Sequence, residues 1–295
     1  MEYRSPRSVG EAVELLAAYD GAAHVLAGGT DLLVKLRAGS VAPQVVVDLK
    51  AIPELRSIES DTRGFRIGAA VSCAEIGEHA ALSAAWPGVI EALKLIGSTQ
   101  IQGRATLGGN LCNASPAADS VPAMIAAGAL CEVAGPAGKR EVPVENVVTG
   151  PGRTSLARGE FVVAFRLPKP GARSGDAYLR LIPRTEMDIA VVGVGVALGL
   201  DGKGVCTQAR VGLGAVAPTP LLVAEAAKAL IGTRVDDPAL AALAAATSAA
   251  CRPIDDKRGT VAYRIKVAGV LARRAARIAL QRAQGSAKDS GRGHG

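Results

Sequence analysis

The chain is poor in aromatic residues and has no long apolar run. Aromatic side chains make up 3% of its 295 residues, so few of them are available to stack on nucleic acid bases. The longest apolar stretch, residues 189–200, contains three glycines and is shorter than the about 20 residues of a membrane-spanning helix. We therefore expect a buried strand there and no integral membrane segment.

The scarcity of aromatic residues also bears on the positive charge of the chain. A formal net charge of +7 would by itself suit a nucleic acid partner. Much of the excess charge, however, lies in one C-terminal segment, and a basic surface suits an anionic cofactor or an acidic partner protein equally well. We expect no binding of nucleic acid.

Clustered cysteines and an export signal are lacking as well. The five cysteines are far apart and form no CxxC pair, which argues against a zinc ribbon or an iron–sulfur cluster built from local pairs. Residues 1–16 have no apolar core of the kind found in signal peptides. We expect a cytoplasmic protein with reduced thiols and no metal site.

Composition and periodicity divide the chain into three blocks and a tail. Residues 1–55 form a small β/α unit, residues 56–170 a second block, and residues 171–285 a third. A polar segment rich in Pro and Gly, residues 169–176, is a good boundary between the last two blocks. Residues 286–295 are polar and Gly-rich, and we expect them to be disordered.

Hydrophobic spacing assigns most of the secondary structure. Helices are predicted at residues 8–19, 32–38, 73–79, 87–96, 121–130, 221–231, 238–250 and 260–282, and strands at 24–27, 45–49, 65–70, 131–134, 160–167, 189–200 and 206–216. The last helix has Val267, Val270, Leu271 and Ile278 on one side and arginines on the rest. We expect this helix to pack on a sheet with its charged side in solvent, rather than to bind a membrane or RNA. Of the functional contacts, binding to an acidic partner protein is the most plausible.

A G-x-G-x-x-A pattern at residues 212–217 resembles a Rossmann turn but is predicted to be structural. A dinucleotide-binding turn must open a helix. Here Pro218 and Pro220 follow at once. The pattern therefore gives no reason to expect a nucleotide at this position.

The stretch AGGTD at residues 27–31 follows a predicted strand and precedes a predicted helix. Its two glycines can take positive φ angles and let the backbone approach a ligand. Consecutive backbone N–H groups then form an anion-binding nest beside the helix N-terminus. Taken alone, the stretch is about as well explained by a simple strand–turn–helix connection, in which Thr30 or Asp31 is the N-cap.

A second stretch, TLGGN at residues 106–110, carries a stronger signal. Thr106, Asn110 and Asn113 place hydroxyl and amide groups beside two glycines, which suits phosphate oxygens and ribose hydroxyls. Asp119 follows in a turn before a buried helix. It could accept from a sugar hydroxyl, cap that helix, or do both.

These motifs resemble those of a known family. AGGTDLLVKLR, RATLGGNLCNASPAADSVPAM, GEFVVAFRLP and AYLRLIPRTEMDIAVVGVGVAL are similar to segments of the FAD-binding medium subunit of the molybdenum hydroxylases, which include carbon monoxide dehydrogenase and xanthine dehydrogenase. The resemblance covers about residues 1–282. It implies an α+β fold in which two α/β subdomains clamp FAD, followed by a C-terminal α+β domain with a small antiparallel sheet and helices.

The resemblance also implies roles for individual residues. Those on the diphosphate and ribityl groups would be Leu26, Ala27, Gly28, Gly29, Thr30, Asp31, Leu32, Thr106, Leu107, Gly108, Gly109 and Asn110. Ile101 would lie near the flavin, Asn113 and Asp119 would hydrogen-bond the cofactor, and Val162 would touch it. Arg180 stands where the family often has Lys, a cation that could stabilise reduced flavin, although Arg is larger and planar.

The family further implies partner subunits. A large subunit would oxidise the substrate at a molybdopterin centre, a small subunit would relay electrons through [2Fe–2S] clusters, and FAD on this chain would pass them to an external acceptor such as NAD, a quinone or oxygen. The assembly would be a dimer of heterotrimers. The chain itself shows no pair of residues suited to acid–base or nucleophilic catalysis, because its three histidines are scattered.

Two other functions stay open on the sequence. A stand-alone FAD oxidoreductase would have its own substrate pocket, and would usually need a general base or a covalent flavin link. A non-catalytic nucleotide-binding protein could retain the same fold. The intact glycines in both stretches argue against a lost cofactor site.

Overall fold

The computed structural model describes residues 1–19 and 21–290 and has the expected α+β fold. Its strands form a three-stranded parallel sheet, a five-stranded antiparallel sheet, a four-stranded antiparallel sheet and a two-stranded ribbon. In the described part of the chain, no helix is both long enough and apolar enough to cross a membrane.

The parallel sheet is formed by the N-terminal β/α unit. Its strands are β1 (Glu2–Arg4), β2 (Ala23–Leu26) and β3 (Val45–Asp48), and its helices are α1 (Val9–Ala18) and α2 (Leu32–Arg37). The order β1-β3-β2 puts β3 in the centre, where its three successive valines are buried, as is usual for a parallel strand covered on both faces. The chain leaves β2 directly into the first glycine stretch.

The five-stranded sheet carries most of the middle of the chain. Its strands are β4 (Ile58–Asp61), β5 (Gly64–Gly68), β6 (Leu130–Gly135), β7 (Gly138–Pro143) and β10 (Phe161–Pro168). The separate two-stranded ribbon consists of β8 (Val148–Gly150) and β9 (Arg153–Thr154). In the five-stranded sheet the strands have the order β4-β5-β10-β6-β7. The helices are α3 (Cys73–Glu78), α4 (Ala80–Ala85), α5 (Pro87–Leu93), α6 (Thr99–Gln102), α7 (Leu107–Cys112) and α8 (Ser120–Ala127). All eight residues of α8 are buried, which fits a helix that is apolar on every side.

Helices α6 and α7 lie in a polar, Gly-rich segment to which the sequence assigned no regular structure. Adjacent glycines lower helix propensity, so no periodic signal marks α7. Tertiary packing stabilises it instead, because Leu107 and Leu111 are fully buried in the central hydrophobic cluster. A Cβ on Gly108 would lie 2.7 Å from the carbonyl oxygen of Ala69, so the close packing of this helix requires glycine.

The four-stranded sheet forms the core of the C-terminal part. Its strands are β11 (Ser174–Leu181), β12 (Val192–Leu200), β13 (Cys206–Gly214) and β14 (Leu221–Leu222), and its helices are α9 (Ala224–Lys228), α10 (Asp237–Ala250) and α11 (Val261–Ser290). Two predictions need correction here. The expected linker at residues 169–176 already contains the start of β11, and the helix expected from residue 221 starts at Ala224, because Leu221 and Leu222 pair with β13 instead.

The G-x-G-x-x-A pattern is structural, as predicted. Gly212 lies in β13, and a Cβ on it would be 2.2 Å from the carbonyl oxygen of Pro122 in α8. Gly195 in β12 makes the same kind of close approach to Pro122, at 2.5 Å. The glycines in these strands therefore allow α8 to lie directly against the C-terminal sheet.

Helix α11 packs on the C-terminal sheet, as expected, and Leu271, Val267 and Ile278 lie in or against the cluster that it forms there. Its buried residues are mainly alanines, in the same hydrophobic cluster as β12 and β13: Ala268, Ala272, Ala275, Ala276, Ala279 and Ala283. Val270, which was assigned to the apolar side, is 39% exposed. Small alanine side chains let the helix approach the sheet closely, which the periodicity of larger apolar residues does not reveal.

The end of this helix also differs from the prediction. The structure continues α11 to Ser290, whereas the helix was expected to end near Arg282 and a disordered tail to begin at residue 286. The disordered tail expected at residues 286–295 stays a prediction, and residues 291–295 lie outside the described residues. The other block boundaries, at residues 55 and 170, stay predictions.

Asp176 is buried where α5 meets the C-terminal sheet. It is 3% exposed, and burial raises its pKa to about 7, against the opposing effects of the backbone N–H groups of Gly88 and Val89 and the charge of Arg282. Arg282 bonds the carbonyl oxygen of Asp176 at 2.6 Å and also pairs with Glu91. The contact between the middle and C-terminal parts therefore includes a carboxyl group that is costly to ionise.

Asp176→Asn is expected to stabilise the chain by an amount that grows with pH. In the folded chain the pKa of Asp176 is raised from 3.8 to about 7. The protonated carboxyl therefore contributes its full stabilisation to the wild type below about pH 4, and this contribution is lost as the pH rises through about 7. The variant keeps a neutral amide and should gain on the order of 1–3 kcal/mol near neutral pH. Urea unfolding of both proteins between about pH 5 and pH 8 measures the difference.

Asp237→Asn provides the matched control, since the Asp237 side chain is 82% exposed and such surface pairs contribute little to stability. A stability difference between the Asp176 variant and the wild type that stays constant with pH would contradict this account of Asp176.

Candidate functional site

The two glycine stretches meet at one place in the fold. The turn after β2 brings Gly28 against the backbone of the segment before α7, so closely that a Cβ on Gly28 would lie 1.9 Å from the carbonyl oxygen of Arg104. Gly29 has a φ of +82°, a conformation that other residues rarely adopt. As predicted, the turn follows a strand and precedes a helix, and the need for glycine here is steric.

The second stretch forms the first turn of α7. Thr106 is the N-cap, and its Oγ1 accepts a hydrogen bond from the backbone N–H of Gly109 at 2.9 Å. A Cβ on Gly109 would contact only Thr106 Oγ1, at 3.1 Å. The space beside Gly109 is therefore open, in contrast to the space beside Gly28 and Gly108.

That open space is part of a cavity of about 460 Å³ between the parallel and five-stranded sheets. Many of the residues predicted to bind the cofactor line this cavity, namely Ala27, Gly28, Gly29, Thr30, Asp31, Leu32, Thr106, Gly108, Gly109, Asn113 and Val162. Both glycine stretches thus contribute backbone to one wall. Leu26, Ile101, Leu107, Asn110, Asp119 and Arg180 do not line this cavity.

The residues away from the wall have packing or hydrogen-bonding roles in the structure. Leu107 is fully buried in the core, and Leu26 is a partly buried residue of β2. Ile101 packs over Gly97, whose added Cβ would lie 2.6 Å from the Ile101 side chain. Asn110 Oδ1 accepts from Ser120 Oγ at 2.6 Å, which ties α7 to the start of α8.

Asp119 and Arg180 contact each other. Arg180 Nη1 donates to Asp119 Oδ2 at 2.6 Å, and Tyr178 OH donates to Asp119 Oδ1 at 2.9 Å. Burial raises the pKa of Asp119 to about 6, although the charge of Arg180 and the bond from Tyr178 oppose this. Asp119 occupies the N-cap position of α8 but makes no capping hydrogen bond through its side chain, so capping does not explain this residue.

The Arg180 side chain is 4% exposed. Its Nε has no hydrogen bond partner in the described part of the chain, so one buried donor of this guanidinium remains to be satisfied.

A chain of hydrogen bonds links the two glycine stretches at the cavity. Lys35 Nζ on α2 donates to Asn113 Oδ1 at 2.6 Å, and Asn113 Nδ2 donates to Asp31 Oδ1 at 3.1 Å. Lys50 Nζ donates to the carbonyl oxygen of Ala27 at 3.0 Å and so stabilises the first glycine turn. Lys35 therefore brings a positive charge to the wall beside the backbone of both turns.

Sequence reasoning missed Lys35, His24 and the wall formed by residues 154–161. Lys35 could have been found, since it lies four residues after Asp31 on a predicted helix and so shares its face. His24 was set aside as scattered, because nothing local in a strand reveals a cavity. Residues 154–161 come from a distant part of the chain, and no spacing in the sequence places them here.

The wall fits the diphosphate of a dinucleotide. Backbone amides at a glycine turn and at a helix start suit phosphate oxygens, Lys35 supplies a cation, and a side chain at Gly109 would fill the space that a phosphate needs. No three His, Cys, Asp or Glu side chains come together as a metal site within residues 1–19 and 21–285.

Comparison with known proteins agrees with this geometry. The family described as the FAD binding domain in molybdopterin dehydrogenase matches residues 1–170. The family described as the CO dehydrogenase flavoprotein C-terminal domain matches residues 177–279. The chain belongs to this flavoprotein family.

Individual relatives match most of the chain. The carbon monoxide dehydrogenase medium chain of Afipia carboxidovorans is 36% identical over 96% of this chain and 98% of its own length. The xanthine dehydrogenase FAD-binding subunit of Escherichia coli O157:H7 is 34% identical over 74% of this chain and 75% of its own length. The resemblance stated from the motifs is thereby confirmed.

Solved structures support the same assignment. A chain of the reconstituted CO dehydrogenase from Oligotropha carboxidovorans superposes with a TM-score of 0.92 at 36% identity, covering 96% of this chain and 98% of that chain. A chain of quinoline 2-oxidoreductase from Pseudomonas putida 86 superposes with a TM-score of 0.86 at 29% identity, covering 97% and 98%. The chain is an FAD-binding medium subunit of the molybdenum hydroxylases, a component of an oxidoreductase.

Proposed function

We propose that this chain binds FAD between its two glycine turns and is the flavoprotein subunit of a three-subunit molybdenum enzyme. When bound, the isoalloxazine ring supplies the redox chemistry, taking electrons from [2Fe–2S] clusters of a small partner subunit and passing them to an external acceptor. The residues of this chain bind and orient the cofactor. We assign the substrate chemistry to a large subunit with molybdopterin, the assembly to a dimer of heterotrimers, and its place to the cytoplasm.

The meeting of both glycine stretches on one cavity wall supports this proposal most strongly. The amides of residues 28–30 and of Gly108 would bind the diphosphate, while Lys35 and the helix start would offset its negative charge. Thr30, Asp31 and Asn113 carry the polar groups nearest to these amides, and Val162 packs from β10. Leu26, Leu32, Leu107 and Asn110 then act by shaping the turns.

Arg180 and Asp119 are proposed to serve the flavin end of the cofactor, together with Ile101. The pair is buried and held by Tyr178, so the guanidinium is fixed in orientation before any ligand arrives. A fixed positive charge at that position stabilises negative charge on the reduced ring.

Co-expression with the neighbouring genes tests the proposed assembly. A tag on this chain should recover two further subunits, with molybdenum and iron in the complex and one FAD per copy of this chain. Reducing the complex with its organic or gaseous substrate should bleach the flavin. Comparing NAD, a quinone and oxygen as oxidants then identifies the acceptor. Oxidation of an organic substrate by this chain alone, loaded with FAD, would instead favour the stand-alone oxidoreductase.

A further inference from the structure

A series of side-chain hydrogen bonds connects the first glycine turn to the two neighbouring strands of the parallel sheet. Tyr3 OH in β1 donates to Asp48 Oδ2 at 2.6 Å, and Lys50 Nζ donates to Asp48 Oδ1 at 2.6 Å. The same Nζ donates to the carbonyl oxygen of Ala27 at 3.0 Å. Lys50 therefore joins the end of β3 to the residue from which the glycine turn begins.

Lys50 is itself held in place by its neighbours. It lies in the short 3₁₀ helix Leu49–Ala51, and Asp48, the N-cap of that helix, also accepts from the backbone N–H of Lys50 at 3.0 Å. Burial opposes the ionisation of Asp48, but the hydrogen bonds from Lys50 and Tyr3 outweigh it and lower the pKa of this carboxyl. The ammonium group of Lys50 is thus fixed by a partner that is ionised at neutral pH.

The hydrogen bond to Ala27 sets the direction of the next backbone amide. The peptide bond between Ala27 and Gly28 is trans, so its carbonyl oxygen and its N–H point in opposite directions. With the carbonyl oxygen bound to Lys50, the Gly28 N–H points away from Lys50. No hydrogen bond uses this N–H within the described part of the chain. It is therefore available to a ligand on the other side of the turn.

We propose that Lys50, held by Asp48, is a positioning residue for the cofactor, because it orients the Ala27–Gly28 peptide so that the Gly28 N–H donates to the diphosphate. The proposal rests on the proposed function, because it takes the diphosphate to lie at the two glycine turns. Ala27 and Gly28 line the cavity and Lys50 does not. Lys50 thus acts through the peptide, whereas Lys35 lines the wall itself.

The physical properties of the turn explain why such a residue is needed. Glycine has no side chain that would restrict its backbone, so packing of side chains does not fix the peptide planes at Gly28 and Gly29. A hydrogen bond to the Ala27 carbonyl also polarises the peptide, which makes the N–H on its other side a stronger donor. Because Asp48 balances the charge of Lys50, we expect this orientation, and not attraction at a distance, to produce the effect.

Lys50→Met tests the proposal with FAD and ADP, two probes that share the diphosphate, titrated into the chain after its flavin has been removed. Loss of the hydrogen bond to Ala27 should weaken the binding of both probes by a similar factor, about tenfold. Lys50→Arg, which keeps a cationic donor, should restore most of the affinity. Lys228→Met is the matched control, because Lys228 also pairs with a carboxylate, Glu225, but on an exposed part of the C-terminal domain. It should bind both probes like the wild type.

Hydrogen exchange of the FAD-saturated proteins separates positioning from a general loss of stability. In Lys50→Met the Gly28 amide should exchange several times faster than in the wild type, while the Gly108 amide of the second glycine stretch should exchange at the wild-type rate. The factor by which FAD binding is weakened should also be the same at about 0.05 M and about 0.5 M salt, because salt screens the attraction between separated charges. Lys50→Gln, which keeps a shorter neutral donor, should show a smaller loss and replaces Lys50→Met if that variant does not fold.

Three results would each overturn the proposal. They are unchanged FAD and ADP affinity in the Lys50 variants, an equal loss of protection at Gly28 and Gly108, and a loss of affinity that disappears at high salt. Failure of the wild type to bind any FAD would instead overturn the proposed function.

Discussion

Gly109→Val is expected to yield a folded chain without flavin. The only atom that an added Cβ would contact is Thr106 Oγ1, at 3.1 Å, so the protein itself has room for the side chain after a small shift. The valine methyls, however, would project into the cavity where we place the diphosphate. We expect bound FAD to fall below about a tenth of the wild-type content, because the backbone can no longer approach the phosphates.

Gly103→Val is the matched control on the same segment. Gly103 ends α6 outside the cavity wall, and an added Cβ would come no closer than 3.6 Å to the carbonyl oxygen of Gln100. This variant should keep its flavin. Stoichiometric FAD in the Gly109 variant, measured by absorbance after gel filtration, would mean that the phosphates lie elsewhere.

Arg180→Met is expected to cost about 3–5 kcal/mol of stability in the flavin-free chain, since it leaves the Asp119 carboxylate buried without its cation. Arg180→Lys, which keeps a positive charge, should cost much less. The measurement is urea unfolding of the three flavin-free proteins near pH 8.

The cost should also depend on pH in a definite direction. Burial already raises the pKa of Asp119 from 3.8 to about 6, so the protonated carboxyl stabilises the fold below about pH 4 and this contribution is lost as the pH rises through about 6. Removing Arg180 raises the folded pKa further. The deficit of Arg180→Met should therefore shrink as the pH falls from about 8 to about 5. A deficit that is small, or the same at both pH values, would show that the two side chains are not coupled as the structure indicates.

The sequence predicted those features of the site that depend on local order. The strand, the glycine turn and the helix around residues 27–31 follow one another directly, and each has its own signal in composition or periodicity. The chain order of helices and strands was therefore largely correct. Helix α7 was not found, because its glycines weaken the helical signal and burial of Leu107 and Leu111 supplies the stability instead.

The long-range features could not be read from spacing. Asp119 and Arg180 are 61 residues apart, and Lys35 reaches Asn113 across 78 residues. Each pair is formed by the packing of separate elements, which one sequence does not encode in any local pattern. Asp119 was predicted to hydrogen-bond the cofactor or to cap α8, and its hydrogen bonds with Tyr178 and Arg180 were not foreseen.

The same reasoning explains the difference among the glycines. The sequence does not distinguish the four glycines of the two stretches. A Cβ on Gly28 or Gly108 would overlap with backbone atoms, whereas a Cβ on Gly109 would enter open space. The first two are required to bring the turns together. Only the structure shows that Gly109 is the one whose replacement should affect the ligand more than the fold.

The central claim is that one FAD binds at the junction of the two glycine turns. Titrating FAD into the flavin-free chain, while following both flavin fluorescence and amide hydrogen exchange, tests this most directly. We predict saturation at one FAD per chain, with slowed exchange at the amides of residues 28–30 and of Gly108. Saturable binding that leaves the exchange of these amides unchanged, or no binding at all, would contradict the account.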